Sequence, residues 1–292
     1  MVHNVIFDDI TGEVLDKQSG VFVSNADLQK QNEEKERRKN YFDHQNQKGQ
    51  LRLEVDNILG QFYFINYKRL LGIIDNDTAL AFRYLYLCTF ANDVGQLYYK
   101  DKQMKHKDVV RVLYMNNKIA SAEVNRMIEF GLLLENNGYY SANLYYYIRN
   151  IGLPDEFKSR SARIFDNGIK SLYEISTARH HKTLGEIVPL LEYINKYNNV
   201  ICSKDTIEER DFKKIKPLNM GEICTICERS NSNRILFKQA LGKYKINGLP
   251  LLRSVVEDNQ TIGYVINPYV LYMGSRNDDL QFAFSLFDLK RR

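Results

Sequence analysis

The chain has few residues that break or cross-link a backbone. Its 292 residues include no Trp, 5 Pro, 16 Gly and 4 Cys. Four Cys are too few for the dense disulfide framework of small secreted domains, and so little Gly and Pro excludes a collagen-like fibre. The shortage of helix breakers, together with many Asn, Ile, Lys and Tyr, favours a helix-rich protein.

Long apolar runs and an excess of one charge are also lacking. Hydrophobic residues make up 44% and charged residues 26%, which is typical of a globular protein and excludes a wholly disordered chain. No run of 18 apolar residues and no signal peptide is present, so we expect a cytoplasmic protein without a membrane partner. The net charge of +5 allows a nucleic acid as partner without requiring one.

The motifs of common enzymes and metal proteins are missing as well. The Cys224-x-x-Cys227 pair has no second pair to complete four zinc ligands, so we expect core cysteines. The adjacent His180 and His181 would point about 100° apart on a helix, and we expect a loop pair rather than a metal site. No phosphate-binding Gly-rich loop or nucleophile elbow occurs. The sequence therefore predicts a protein that is not an enzyme, with no catalytic residues, metal or cofactor.

The first two segments precede the main part of the chain. Residues 1–24 predict a small β-hairpin, in which Val5-Ile6-Phe7 and Val14-Leu15 flank a Thr-Gly turn and Val21-Phe22-Val23 adds a third strand. Residues 25–56 form a charged linker or solvated helix, since Glu33 and Arg37 stand four residues apart. A basic arm on nucleic acid is the alternative, against which the acidic residues argue.

Residues 57–150 predict the first domain. A helix begins after Asp75 or Asp77, and a second short helix follows Lys107-Asp108. After a polar turn at residues 115–120, Ser121 caps a third helix that stops at Gly131, and Asn137-Gly138 predicts a hairpin. This order is typical of a winged helix-turn-helix, in which the third helix enters a major groove and the hairpin lies beside it.

The second half of the chain repeats this order. Residues 151–182 predict a connecting helix, and residues 183–292 a second winged-helix domain. The series from Leu87 to Leu97 matches the series from Leu191 to Ile201, and both hairpins end in a similar phrase, Ala142-Asn143-Leu144-Tyr145 and Ile266-Asn267-Pro268-Tyr269. The predicted fold is mainly α with small β-hairpins, arranged as tandem winged helix-turn-helix domains.

The two candidate recognition helices carry side chains suited to DNA. Asn and Arg can hydrogen-bond adenine and guanine edges, whereas Lys and Ser suit phosphates. The candidate DNA-binding residues are Lys118, Ser121, Asn125, Arg126, Arg229, Ser230, Ser232, Asn233, Arg234, Lys238 and Arg253. A polar face that is merely solvated is the alternative. The tyrosine clusters at Tyr139-Tyr140 and Tyr145-Tyr146-Tyr147 could stack single-stranded bases or bury a subunit interface, but packing around the hairpin is favoured.

Two stretches resemble a known group of proteins. Residues Asp8 to Leu15, with their Thr-Gly-Glu-Val core, are similar to the opening of plasmid replication proteins from low-GC Gram-positive bacteria. Residues Gly263 to Gly274, with Asn267-Pro268 and Gly274, resemble the end of the second hairpin in such winged-helix replication initiators and their phage relatives. The resemblance covers residues 57–290 and implies sequence-specific duplex binding at an origin or operator. Two copies of the unit are a departure from the single-domain plasmid proteins, which leaves open whether both copies bind DNA or one of them serves assembly.

Together these features predict a double-stranded DNA-binding protein of a phage or mobile element. It would act as a replication initiator or a transcription regulator, recruiting replication or transcription machinery, since it has no nuclease or helicase motif of its own. The alternative is a winged-helix interaction module that binds a polymerase or another phage or host protein. The sequence leaves the choice between a monomer and a homodimer open.

Overall fold

The N-terminal unit is a small antiparallel sheet. The computed structural model describes residues 5–7, 14–16, 21–23, 33, 36, 59–149, 153–158, 161–257, 260–274, 280, 283 and 284. Residues Met1–Val55 form one compact unit and Asp56–Arg292 another. Strands β1 (Val5–Phe7), β2 (Val14–Asp16) and β3 (Val21–Val23) pair in that order, which agrees with the predicted strands. The predicted Glu33/Arg37 pair involves Arg37, which lies outside the described residues.

The larger unit begins with a strand and a series of helices that we name the first copy (residues 62–148). Its elements are β4 (Phe62–Asn66), α1 (Tyr67–Ile73), α2 (Thr78–Cys88), β5 (Tyr98–Tyr99), β6 (Lys102–Gln103), α3 (His106–Val112), α4 (Asn117–Glu129), β7 (Leu133–Asn136), β8 (Tyr139–Ala142) and β9 (Tyr147–Ile148). Asp77 caps α2, as predicted, because its Oδ1 accepts a hydrogen bond of 3.0 Å from Leu80 N. Asn137 and Gly138 both have positive φ, and they form the predicted tight turn.

A second copy (residues 161–272) follows the short helix α5 (Asp155–Lys158). Its elements are β10 (Ser161–Phe165), α6 (Asp166–Glu174), α7 (His181–Gly185), α8 (Ile187–Leu190), α9 (Met220–Ile226), α10 (Arg234–Lys243), β11 (Lys245–Ile246), β12 (Leu249–Pro250), β13 (Leu252–Glu257), β14 (Gln260–Ile266) and β15 (Leu271–Tyr272). The sequence also predicts helices at residues 219–227 and 234–241, and α9 and α10 confirm both predictions. The hairpin β11–β12 was not predicted, although its Asn247-Gly248 turn is the same signal that gave the first hairpin.

One four-stranded antiparallel sheet joins the copies, in the order β15-β10-β4-β9. At its centre Phe64 pairs with Arg163, and the flanking strands pair Phe64 with Ile148 and Arg163 with Tyr272. Each copy therefore supplies its first and last strand in equivalent positions. The prediction of two successive domains joined by a connecting helix at 151–182 needs correction: β10 occupies part of that segment, and residues 56–292 form a single compact unit.

Backbone hydrogen bonds confirm the predicted internal repeat. Asn143 N donates to Leu132 O at 2.9 Å and Asn143 Oδ1 accepts from Tyr145 N at 3.0 Å. Asn267 makes the same two contacts, with Leu251 O at 2.9 Å and with Tyr269 N at 2.9 Å. Both asparagines thus fix the exit of a hairpin toward the shared sheet.

The start of each copy repeats in the same way. Isolated bridges join Ala91 to Leu97 and Ile194 to Ile201, at the places where the sequence predicted a match. Leu97 N donates to Tyr140 O at 3.0 Å, and Ile201 N donates to Tyr264 O at 2.8 Å. A short extended segment therefore lies against one strand of each hairpin.

The tyrosines mostly build the core. The side chains of Tyr63, Tyr84, Tyr147 and Tyr272 are fully buried. Tyr63 Oη donates to Leu85 O at 2.6 Å and Tyr147 Oη donates to Ala91 O at 2.9 Å. Because the hydroxyls of Tyr63 and Tyr147 find backbone acceptors, these two large rings are buried with their polar groups satisfied. Packing, rather than base stacking, accounts for these rings.

A close approach of two helices ties the copies together beyond the sheet. Gly185, the last residue of α7, lies against the start of α2, and a Cβ on it would stand 1.7 Å from Thr78 O. Only glycine fits this position without moving one of the helices. Among the described residues, no helix has the length and apolar composition needed to cross a membrane.

Candidate nucleic-acid interface

Helix α4 turns one face to the core and a polar face outward. Ala120, Val124 and Met127 are fully buried, as the 3.6-residue period of a helix requires for a packed face. The outer face carries Lys118, Asn125 and other exposed residues, so both predicted side chains lie on the surface. Val109, Val112 and Leu113, on α3 and at its end, are buried in the same core. The short helix before α4 therefore supports it from the inner side.

Ser121 does not cap this helix, and that prediction is wrong. Helix α4 begins at Asn117, and Asn116 is its N-cap, with Oδ1 accepting from Lys118 N at 3.0 Å. The left-handed backbone of Tyr114 (φ 47°) makes the turn, so the predicted polar turn at 115–120 is shorter than expected. Asn116 is as good a cap as Ser and comes five residues earlier, and this places Lys118 inside the first turn.

Ser121 instead belongs to a hydrogen-bonded chain that links three elements. Its Oγ lies 2.9 Å from His106 Nε2, and His106 Nδ1 lies 3.0 Å from Tyr140 Oη. Tyr140 Oη donates in turn to Glu135 Oε2 at 3.2 Å. The chain fixes α3 and the hairpin β7–β8 relative to α4.

The groove between α3 and α4 carries cations that the prediction missed. His106, Lys107, Val110, Arg111, Asn117 and Ser121 line it. Lys107 and Arg111 stand one turn apart on the exposed side of α3, and Lys118 is exposed at the start of α4. Within the described parts of the chain, none of these three side chains has a carboxylate partner. The groove therefore presents positive charge to solvent.

The sequence contains a local excess of basic residues that indicates this positively charged groove. Residues 100–118 contain six Lys or Arg and two Asp, which is far more basic than the chain as a whole. Of the two carboxylates, Asp108 accepts from Lys105 N at 3.1 Å and so caps α3. The remaining positive charge is concentrated on the β5–β6 turn, β6, α3 and the first turn of α4.

Arg126, which was predicted to contact base edges, is paired with carboxylates of the protein, and its side chain is 39% exposed. Its guanidinium donates to Asp77 Oδ2 at 2.7 Å and to Glu123 Oε1 at 3.2 Å. The hydrogen bond from Arg126 helps to lower the pKa of Asp77, against the opposing effect of burial. Sequence reasoning could not find this pairing because Asp77 lies on α2, 49 positions away. Arg126 thus binds α4 to the cap of α2.

Arg229 is also engaged inside the protein, which corrects its predicted contact with phosphate. Its Nε donates to Glu186 Oε2 at 2.6 Å, and a terminal nitrogen donates to Thr183 Oγ1 at 3.0 Å. The guanidinium carbon lies 4.7 Å from the centre of the Phe237 ring. Burial raises the pKa of Glu186 and Arg229 opposes this rise. Arg229 holds α7 and α8 against α10.

The other predicted residues of the second copy lie around the start of α10. Ser230 is the cap of a 3₁₀ turn at Asn231–Asn233 and contacts Ser232 Oγ at 2.8 Å. Ser232, Asn233, Arg234 and Lys238 are exposed. Arg253 is partly buried on β13, opposite Val265. The structure therefore brings Arg234 and Lys238 to one groove, whereas Asn233 lines a different cavity together with Arg229 and Ser230.

The two cysteines and the two histidines of the predicted pairs differ in how deeply they are buried. Cys224 is buried, Cys227 is partly buried, and burial raises the pKa of both thiols. His180 is partly buried at the end of a 3₁₀ turn, whereas His181 begins α7 and is buried against Phe82 and Tyr173. The predicted loop pair is thus wrong for His181. Within the described residues, no group of three His, Cys, Asp or Glu side chains is arranged to hold a metal ion.

Comparison with known proteins gives no relative. No protein-family model, curated protein or solved structure matches the chain.

Proposed function

We propose that this chain is a sequence-specific double-stranded DNA-binding protein of a phage or mobile element, acting as a replication initiator or a transcription regulator. Each copy would be a winged helix-turn-helix. The order of α3, α4 and the hairpin β7–β8, and that of α9, α10 and the hairpin β13–β14, support this assignment. In such a unit the second helix of the pair enters the major groove and the hairpin approaches the backbone.

The observation that carries the proposal is the unpaired positive surface of the first copy. Lys107, Arg111 and Lys118 are exposed beside α4 and have no carboxylate partner in the described residues. Phosphate contacts from Lys and Arg supply most of the affinity of DNA-binding proteins. These three side chains would hold the backbone while α4 faces the groove.

Specificity requires a group that can reach base edges. Asn125 is exposed two turns after Lys118 on the same face of α4. An asparagine amide can donate to and accept from adenine in the major groove. Asn125 is therefore the side chain of α4 that we assign to base contact, in place of the internally paired Arg126.

Selection from a pool of random duplexes tests this proposal. At low salt, the full chain should enrich a family of related duplexes, because base contacts distinguish sequences. The Asn125→Ala variant should keep its affinity for unselected duplex but lose about 1–3 kcal/mol of discrimination between selected and unselected duplex. Failure to retain any duplex at low salt would overturn the proposal.

A further inference from the structure

The second copy has a groove that differs in character from that of the first. We name it the α10 groove; Met220, Ile235 and Tyr264 provide its apolar surface, and Arg234, Lys238 and Lys243 its basic side chains. It lies between the first turn of α9 and one side of α10, and one strand of the long hairpin closes it. Lys238 Nζ stands 5.4 Å from the centre of the Tyr264 ring.

The equivalent helix of the first copy, α3, can be compared with α9, which forms part of this groove. In both α3 and α9 an acidic residue three positions after the cap accepts from the backbone N–H of the cap: Asp108 from Lys105 N at 3.1 Å, and Glu222 from Asn219 N at 2.7 Å. Both end before a residue with a left-handed backbone, Tyr114 (φ 47°) and Glu228 (φ 54°), nine positions after the cap. The two helices can therefore be aligned residue by residue.

The alignment shows which side chains the second groove lacks. Two positions after the cap, Lys107 in α3 corresponds to Gly221 in α9, and six positions after it, Arg111 corresponds to Thr225. The two cations that face solvent beside α4 are thus replaced by a hydrogen atom and a short hydroxyl side chain. Gly221 lines the α10 groove beside Met220 and places no long side chain there.

Exposed aliphatic side chains add to this surface. Ile235 and Leu236, the second and third residues of α10, are 62% and 65% exposed. Ile235 lines the α10 groove, whereas Leu236 lies on the other flank of the helix, with His180 and Tyr244. Adjacent aliphatic residues this exposed are unfavourable in water, and they are typical of surfaces that a partner covers.

The charges around the groove define the chemistry of that partner. Arg234, Lys238 and Lys243 are exposed, and no carboxylate of the described residues pairs with them. The nearest acidic side chain of α9, Glu222, accepts from Asn219 N at 2.7 Å and so serves the helix cap. An apolar floor with a positive rim is complementary to a segment that carries both apolar and acidic side chains.

We propose that the α10 groove binds a short amphipathic segment of another protein, with aliphatic or aromatic side chains on one face and Asp or Glu beside them. The apolar side chains cover Ile235, Met220 and Tyr264, and the carboxylates pair with Arg234, Lys238 and Lys243. This goes beyond the DNA-binding proposal, because it assigns a different ligand to each copy. The first copy binds duplex DNA and the second binds a protein partner.

Peptide selection tests the proposal. A displayed library of random peptides of about 16 residues is selected against the full chain, and the recovered peptides are synthesised and their Kd is measured. We expect recovered peptides to combine Asp or Glu with apolar residues at helical spacing. Ile235→Ser and Lys238→Glu should each weaken their binding roughly tenfold or more.

Matched controls come from elsewhere on the surface. Ile119→Ser removes an isoleucine of the first copy that is 53% exposed, and Lys214→Glu reverses an exposed lysine outside the groove. Both variants should bind the peptides like the parent chain. Affinity of the groove variants for duplex DNA should change less than about twofold, because the first copy carries that contact.

Three results would overturn the proposal. The selection could enrich no acidic, apolar peptide, or the peptides could bind the groove variants as tightly as the parent. The third result is that Ile235→Ser and Lys238→Glu weaken the binding of duplex DNA and not that of the peptides. DNA would then be the ligand of the groove. Each result is independent of whether the first copy binds DNA.

Discussion

Arg149 and Asp166 form a buried two-pronged ion pair between the end of the first copy and the start of the second. The guanidinium nitrogens lie 2.9 Å and 2.8 Å from the two carboxylate oxygens. Arg149 Nε also donates to Tyr147 Oη at 2.7 Å, and Asp166 is the first residue of α6. The pair therefore fixes the helix that follows β10 to the strand β9 at the far edge of the shared sheet.

Asp166→Asn should reduce stability strongly. The side chains of Arg149 and Asp166 are 3% and 9% exposed, so the variant leaves a buried cation without its partner. Breaking such a pair costs about 3–5 kcal/mol. Urea unfolding measures the effect, with Asp205→Asn as control, because Asp205 and Lys216 form an exposed pair, 56% and 67% accessible. If Asp166→Asn cost no more than Asp205→Asn, the pair would not join the copies as described.

The buried His181 should make stability fall as the pH falls below 7. Burial, with the nearby positive charge of Arg83, lowers the pKa of His181 from 6.5 to about 3. As the pH falls, the His181 imidazole therefore binds a proton near pH 6.5 in the unfolded chain but only near pH 3 in the folded chain. The contribution is fully present above the unfolded pKa and is lost as the pH decreases, by about 2 kcal/mol between pH 7 and pH 5.

Unfolding free energies at pH 7, 6 and 5 test this behaviour. The His181→Asn variant keeps an acceptor for Arg83 Nε, which donates to His181 Nδ1 at 3.2 Å, and it should lose most of the pH dependence. The neighbouring His180 is only partly buried, and His180→Asn should keep more of the parent's pH dependence than His181→Asn does. Equal pH dependence in the His181→Asn variant and the parent would contradict the assignment.

Arg126→Ala should affect folding more than DNA binding. The substitution removes the hydrogen bonds to Asp77 and Glu123 and should cost about 1 kcal/mol or more of stability. Duplex affinity should change less than about twofold, because the guanidinium is already paired with Asp77 and Glu123. Arg111→Ala should do the reverse, since Arg111 is exposed and forms no ion pair within the described residues. A large loss of affinity in Arg126→Ala with unchanged stability would restore the predicted base contact.

The elements with strong local signals could be predicted from the sequence. Asp77 and Asn219 are good N-caps before apolar residues at helical spacing, and both start helices as expected. Asn137-Gly138 gave the first hairpin for the same reason, because both residues accept positive φ. In each case the information lies within a few residues of the element.

Contacts between distant segments could not be predicted in this way. Strand β10 pairs with β4, about a hundred positions earlier, and nothing local distinguishes Phe165 at the end of a strand from Phe165 in a helix. Likewise Arg126 and Arg229 are of a residue type that often contacts DNA, but each pairs with a carboxylate from a distant part of the chain, Asp77 and Glu186. We therefore assign the candidate interface to Lys107 and Arg111 in place of Arg126 and Arg229. No neighbouring carboxylate of the described residues pairs with Lys107 or Arg111, and only the folded chain shows this.

The salt dependence of duplex binding tests the central claim most directly. The slope of log affinity against log salt should be clearly negative for the parent chain, and each phosphate contact contributes about 0.9 to it. The Lys107→Ala, Arg111→Ala double variant should therefore reduce the slope by about 1.8. The matched double variant Lys204→Ala, Lys216→Ala removes two lysines already paired with Glu192 and Asp205, and it should keep the parent slope. A slope unchanged by the loss of Lys107 and Arg111, or the absence of duplex binding at low salt, would contradict the account.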